Sequence, residues 1–187
     1  MTVHISFGNT CCIAYQLNKH ELRNMAMPFD WILTPNIDKL LECIESSFDG
    51  FLSDMYLVSK NHSTNFPQIA DDWNDDKVTT LRVINTKYKF TFVHDFTSMD
   101  DLSDVRDKYY KQIIRFHKIM LDVVITKKIY RITTNTSCEI EYKKIISVFE
   151  KLGYVNYSIH IKSYKDIGES IDWKFDHYDW NTWFLTI

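Results

Sequence analysis

The stretch Val3-His-Ile-Ser-Phe-Gly-Asn-Thr-Cys-Cys-Ile-Ala-Tyr-Gln-Leu17 constrains the fold of this chain more than any other. Val3, Ile5 and Phe7 alternate as on a short strand with one buried face. Gly8 permits a backbone turn that a Cβ would resist. Asn9 or Thr10 is a candidate helix cap, and Ile13, Ala14 and Leu17 supply an apolar stripe at helical spacing. Strand, glycine, cap and helix place the Cys11 thiol in the first turn of a helix. The unpaired N–H groups and the dipole there favour an anion, so a thiolate would be stabilised. Such a turn suits a nucleophile or an anion site. A free cysteine serves equally well as an ordinary core residue.

A chain of 187 residues, 45 % of them hydrophobic, is long enough for one domain with a sizeable core, and we expect a single domain over 1–187. The net charge of -3 leaves no basic footprint for nucleic acid, so none is expected as a partner. Cys11, Cys12, Cys43 and Cys138 contain no C-x-x-C pair, which argues against a zinc site, and no metal or cofactor is expected. No basic leader followed by an apolar run and no membrane-length apolar segment is present, so no membrane association is expected. A reducing, cytoplasmic setting with free thiols follows as the expectation.

Further along, Thr34 and Pro35 read as an N-cap with proline at the first helical position, opening a helix through Ile37, Leu40, Leu41 and Ile44. A brief strand is expected at 56–58. The polar stretch 60–79 reads as a long loop, and its acidic cluster lacks calcium-loop spacing. Residues 80–85 and 88–93 form two β-rich runs joined as a hairpin near Asn85-Thr86-Lys87. A long helix is expected from Ser103 to about Val124, a strand over 127–133, a helix over 139–152 ended by Gly153, and a strand over 156–163. The last three make a βαβ unit, which implies parallel pairing. The aromatic C-terminus is expected to end in a strand. The fold class is therefore α/β, with a mixed sheet and helices packed on it.

In α/β sheets, ligands gather at the carboxyl ends of the strands. Polar residues follow three of the predicted strands: Gly8, Asn9, Thr10 and Cys11 after the first, His94 and Asp95 after the second, Thr134 and Asn135 after the third. If these strands share a direction, a thiol, an imidazole and orienting groups converge. His94 would take the thiol proton, Asn135, Asp95 or Asp30 would orient the imidazole, and the Cys11 N–H with the Asn9 amide would hold an oxyanion. Each has a plainer use. His94 beside an acid suits a structural role, Asn135 can close a turn, and Asp30 can brace the Pro28 turn while Trp31 fills the core. Arg131, a charge within a strand, wants a carboxylate partner or an anion. Trp173, Trp180 and Trp183 offer a second possibility, a non-catalytic module that stacks sugar or base faces, although a core accounts for most tryptophans.

Ser6-Phe-Gly-Asn-Thr-Cys11 with Ala14-Tyr-Gln-Leu17 resembles the opening signature of the family labelled putative papain-like cysteine peptidases. Pro28-Phe-Asp-Trp31, His94-Asp-Phe96 and Ile129-Tyr-Arg131 are similar to its later blocks, so the resemblance spans roughly residues 3 to 163. Such proteins occur in bacteria and large DNA viruses. The resemblance implies Cys11 as nucleophile with His94 as its partner, leaves Cys12 incidental, and makes a papain-like α+β layout the alternative fold. It implies a cysteine-dependent hydrolase or acyl transferase acting on a peptide, acyl or carbohydrate-linked substrate. The alternative is a binding or virus–host interaction module on an enzyme-like scaffold.

Overall fold

A computed structural model describes residues 1–62, 79–134, 137–168 and 173–185. In chain order the elements are β1 (Thr2–Ser6), α1 (Cys12–Lys19), β2 (Ile32–Leu33), α2 (Ile37–Glu45), β3 (Met55–His62), β4 (Thr79–Asn85), β5 (Thr91–Phe96), α3 (Ser103–Leu121), β6 (Thr126–Thr133), α4 (Cys138–Lys151), β7 (Tyr157–Ser163), α5 (Tyr164–Ile167) and α6 (Trp180–Leu185). The α/β class holds, and the predicted βαβ unit is β6–α4–β7. Parallel and antiparallel pairing are both present but segregate. One sheet has the parallel order β1-β6-β7, the other the antiparallel order β2-β5-β4-β3.

Local chemistry accounts for the helix ends. The Ser137 side chain accepts the Ile140 N–H, Glu139 and Glu141 lie in the first turn of α4, and Lys151 lies in its last. Gly153, at φ 69°, then lets Tyr154 N–H return to the Phe149 carbonyl and stop the helix, as expected. At α2 the cap is Asn36, whose side chain accepts from Asp38 and Lys39 N–H, not Thr34. Thr34 is diverted because its hydroxyl is used in the seam between the sheets. It accepts the Asn9 N–H at 2.8 Å and donates to the Phe7 carbonyl at 3.3 Å.

Arg131 completes that seam. Its Nη1 donates to the Phe7 carbonyl at 2.8 Å, its Nη2 to the Thr34 carbonyl at 3.1 Å, and its Nε to Glu141 Oε2 at 2.6 Å. One fully buried guanidinium thus ties the end of β1, the end of β2 and the start of α4. The carboxylate partner expected for Arg131 is Glu141, which Thr133 also binds at 2.7 Å.

The main core lies between the inner face of the parallel sheet, the β5–β4 sheet and helices α2 to α4. Phe29 is its hub, in ring contact with Phe7, Phe48, Phe51, Phe90 and Phe116. Trp31, expected in the core, is only half-buried, because the alternation of β2 gives the inward position to Ile32.

Three further expectations are corrected. The second hairpin strand starts at Thr91, not Tyr88. Residues 86–90 turn instead, and buried Tyr88 points its hydroxyl at Ser46 and the Asp49 carbonyl. The stretch 60–79 is strand at both ends, where β3 and β4 pair, while 63–78 lie outside the described residues. The C-terminus forms α6 rather than a strand, since Trp180, Trp183 and Phe184 recur at helical spacing and bury one face together.

Candidate active site

The turn after β1 is built for one conformation. Gly8 has φ 61°, and a Cβ there would lie 2.3 Å from Thr34 Oγ1 and 3.2 Å from the Ile32 carbonyl. Asn9 is left-handed as well, at φ 68°, a conformation asparagine accepts more readily than most residues. Its side-chain amide donates to the Ile132 carbonyl of β6 at 2.6 Å. Asn9 is therefore a brace between β1 and β6, and its amide is committed there rather than to an oxyanion. Neither Asn9 nor Thr10 caps α1. Cys11 is the N-cap residue, without a side-chain cap bond, and the Thr10 hydroxyl lies 2.7 Å from Cys12 Sγ.

Cys11 is 5 % exposed. Burial pushes its thiol well above the ordinary range, and the neighbouring Cys12, Asp95 and Asp30 push it further. The resting group is a neutral thiol. The helix dipole expected to favour a thiolate is outweighed by loss of solvent and by the two carboxylates.

His94 and Asp95 lie within β5, not after it. β2 pairs antiparallel with β5 through Ile32–Phe92 and Leu33–Thr91, which brings Trp31, just before β2, to the His94 part of β5. The Trp31 ring meets the His94 ring edge-on at 6.1 Å. Burial pushes His94 down to about 4, Lys108 adds to this, and Asp95 opposes it. The imidazole is neutral at pH 7.

The two acids are each held by a cation and an N–H or O–H donor. Asp95 binds Lys108 through Oδ1 and accepts the Tyr109 hydroxyl through Oδ2 at 2.7 Å. Asp30 Oδ2 accepts Arg23 Nε at 2.9 Å and the Met27 N–H at 2.8 Å. Asp30 thus braces the Pro28 turn, the plainer of its two readings. Lys108 also lies over the Tyr109 ring and Arg23 over the Trp31 ring. Burial, and then the charges of Asp95 and Asp30, push the Tyr109 hydroxyl well above its ordinary range, so α3 closes one side of the cluster. Lys108 and Tyr109 are absent from the sequence-derived site. Tyr109 reads there as one more apolar position of α3, and only an aromatic with a polar tip on a buried face hints otherwise.

The structure therefore gathers Cys11, Asp30 and Asp95, with His94 carried on β5 beside Asp95. Gly8, Asn9 and Arg131 shape the turn. Asn135 lies outside the described residues. Among the described residues no group of three or more His, Cys, Asp or Glu could hold a metal ion, and no helix is long and apolar enough to cross a membrane. Trp180 and Trp183 are buried in a second small core with Ile13, Leu17 and Tyr130, so they form no surface platform.

Fold and site define an α/β protein with a buried thiol where a parallel strand turns into a helix. The chain belongs to the family described as "Putative papain-like cysteine peptidase", which it matches over residues 2–152. It is also 34 % identical over 123 residues to an uncharacterised protein of Acanthamoeba polyphaga mimivirus, a match covering 62 % of this chain and 55 % of that protein. The chain thus spans little more than half the length of this viral relative. No solved structure matches it.

Proposed function

We propose that the protein is a cysteine-dependent hydrolase or acyl transferase in which Cys11 is the nucleophile and His94 its base. The observation that carries this reading is the junction itself. A left-handed Gly8–Asn9 turn, pinned by Thr34 and Arg131, delivers the Cys11 thiol to a helix N-terminus within the field of Asp95, whose chain neighbour His94 is the imidazole of β5.

Both groups are neutral at rest, so the chemistry would run by general base catalysis. The imidazole takes the thiol proton as sulfur attacks a carbonyl carbon. It returns the proton to the leaving group, and water or an acceptor nucleophile then releases the acyl group. The N–H groups at the start of α1 supply dipole for the oxyanion. Asp95, fixed by Lys108 and Tyr109, favours the imidazolium formed in the transition state. The substrate is a peptide, acyl or carbohydrate-linked carbonyl compound.

Burial of Cys11 favours a second reading, a scaffold that keeps the enzyme's residues without turnover. A thiol-directed acylating probe separates the two. The enzyme reading expects saturable labelling of Cys11, lowered by about 10²–10⁴-fold in His94→Gln. Labelling of Cys43 or Cys138 with Cys11 untouched, or labelling of Cys11 indifferent to His94, would favour the scaffold.

A further inference from the structure

A surface helix ordinarily carries one apolar stripe. Helix α3 carries two. Its buried stripe is Val105, Tyr109, Gln112, Phe116 and Ile119, spaced alternately four and three residues apart. Tyr110, Ile114 and Leu121, on the opposite side by helical spacing, are 65 %, 49 % and 53 % exposed. They span about 16 Å of helix. The chain then leaves α3 through Val123 and Val124, which are more exposed still. Single exposed apolar residues need no explanation, but a run of them along one helix and its exit marks an interaction surface. Towards the other end of α3, Tyr110 and Ile113 line a groove of about 450 Å³, together with Phe48, Phe51 and Leu52 from the turn after α2.

We propose that this face binds a second copy of the chain, with the two α3 helices packed antiparallel about a twofold axis. Charge complementarity carries it. Along one flank of the exposed stripe the helix presents Asp104, Asp107, Lys111 and Lys118, all exposed. The order acid, acid, base, base complements itself when the copies run antiparallel, whereas parallel packing sets like charge on like. The other charged side chains of α3 lie off this flank. Lys108 is bound to Asp95, Arg115 donates to the Ala26 carbonyl, and Arg106 lines the groove. Just past the helix, Asp122 accepts the Val124 and Ile125 N–H groups.

The same arrangement uses the groove. Antiparallel packing carries Val123 and Val124 of one copy towards the N-terminal half of α3 in the other, where the groove lies. Each copy gives one apolar knob and receives one, so the contact is the same patch on both copies and closes at two chains. Opposed helix dipoles favour the same orientation. The surface lies across α3 from Tyr109 and Asp95, so it is independent of the chemistry proposed for Cys11.

The test is analytical ultracentrifugation of the full chain from about 1 to 100 µM. The expected result is a reversible two-chain species with no larger series. Ile114→Glu, at an exposed position, should keep the melting temperature and weaken association by at least about tenfold. Asp104→Lys with Asp107→Lys makes the flank wholly basic, and Lys111→Asp with Lys118→Asp makes it wholly acidic. Each of these double variants should lose most of its self-association, and mixing the two should restore a two-chain species. A monomer at about 100 µM would leave the face to a different partner and overturn the proposal. So would a two-chain species that folded Ile114→Glu leaves unchanged, or charge variants that associate as the parent does.

Discussion

At Gly8 a single missing methyl group decides the local chain path. Its left-handed φ and the 2.3 Å approach of Thr34 Oγ1 leave alanine neither conformation nor space. Gly8→Ala should lower stability by about 1–3 kcal/mol in urea denaturation, with the m-value unchanged. His94 sets a pH window. Its folded pKa of about 4 lies below the ordinary 6.5, so the unfolded chain binds more protons between these values. Stability is therefore complete above about pH 6.5 and falls as pH drops towards 4, by up to about 1.4 kcal/mol per unit from this residue. His94→Gln should flatten that slope in a series of melts from pH 7 to 4.5. A slope that persists unchanged would place the titrating group elsewhere. At this scale the sequence was informative where chemistry is local. Gly8 as a turn and Gly153 as a stop follow from backbone sterics alone. The neutral state of Cys11 does not, because it depends first on burial of the thiol by the assembled fold and then on nearby charges, Asp95 and Asp30 among them, brought in from distant segments.

The elements meet through Arg131. Removing a partner from a buried ion pair leaves an uncompensated charge, so Arg131→Met should cost about 3–5 kcal/mol. The double variant Arg131→Met, Glu141→Met should cost clearly less than the sum of the two single changes, which a double-mutant cycle measures. The strand and helix periods of β1, α2, α3, α4 and β7 were legible because each buries one regular stripe. Three local features were not. Thr34 is a good cap by type, but the seam takes its hydroxyl. The run at Tyr88 has strand composition, yet Tyr88 is pulled to Ser46 and Asp49 in a turn. The C-terminal Trp-Phe-Leu-Thr-Ile favours β by propensity, and packing of Trp183 and Phe184 on Tyr130 overrides it.

For the whole molecule, the second core makes the C-terminus part of the scaffold that carries Cys11. Gln16 of α1 donates to the Lys174 carbonyl and to Asp176, and Tyr15 packs against Trp173. The family match ends at residue 152, so this support lies beyond it. A chain ending at residue 168 uncovers Ile13, Leu17, Tyr130 and Ile132. It should melt at least about 10 °C lower and bind a hydrophobic dye, as calorimetry and fluorescence would show. An unchanged melting temperature would mean that α1 does not depend on this cover.

By itself the sequence determined the α/β class, the βαβ unit, the strand–turn–helix that positions Cys11 and the need of Arg131 for a carboxylate. Hydrophobic period, glycine sterics and the cost of an unpaired buried charge act within a few residues or on one side chain. Tertiary structure alone decided the division into two sheets, the identity of Glu141, the hold of Lys108 and Tyr109 on Asp95, and the protonation of Cys11 and His94. Those depend on which distant groups share a low-dielectric space, and neither spacing nor composition specifies that.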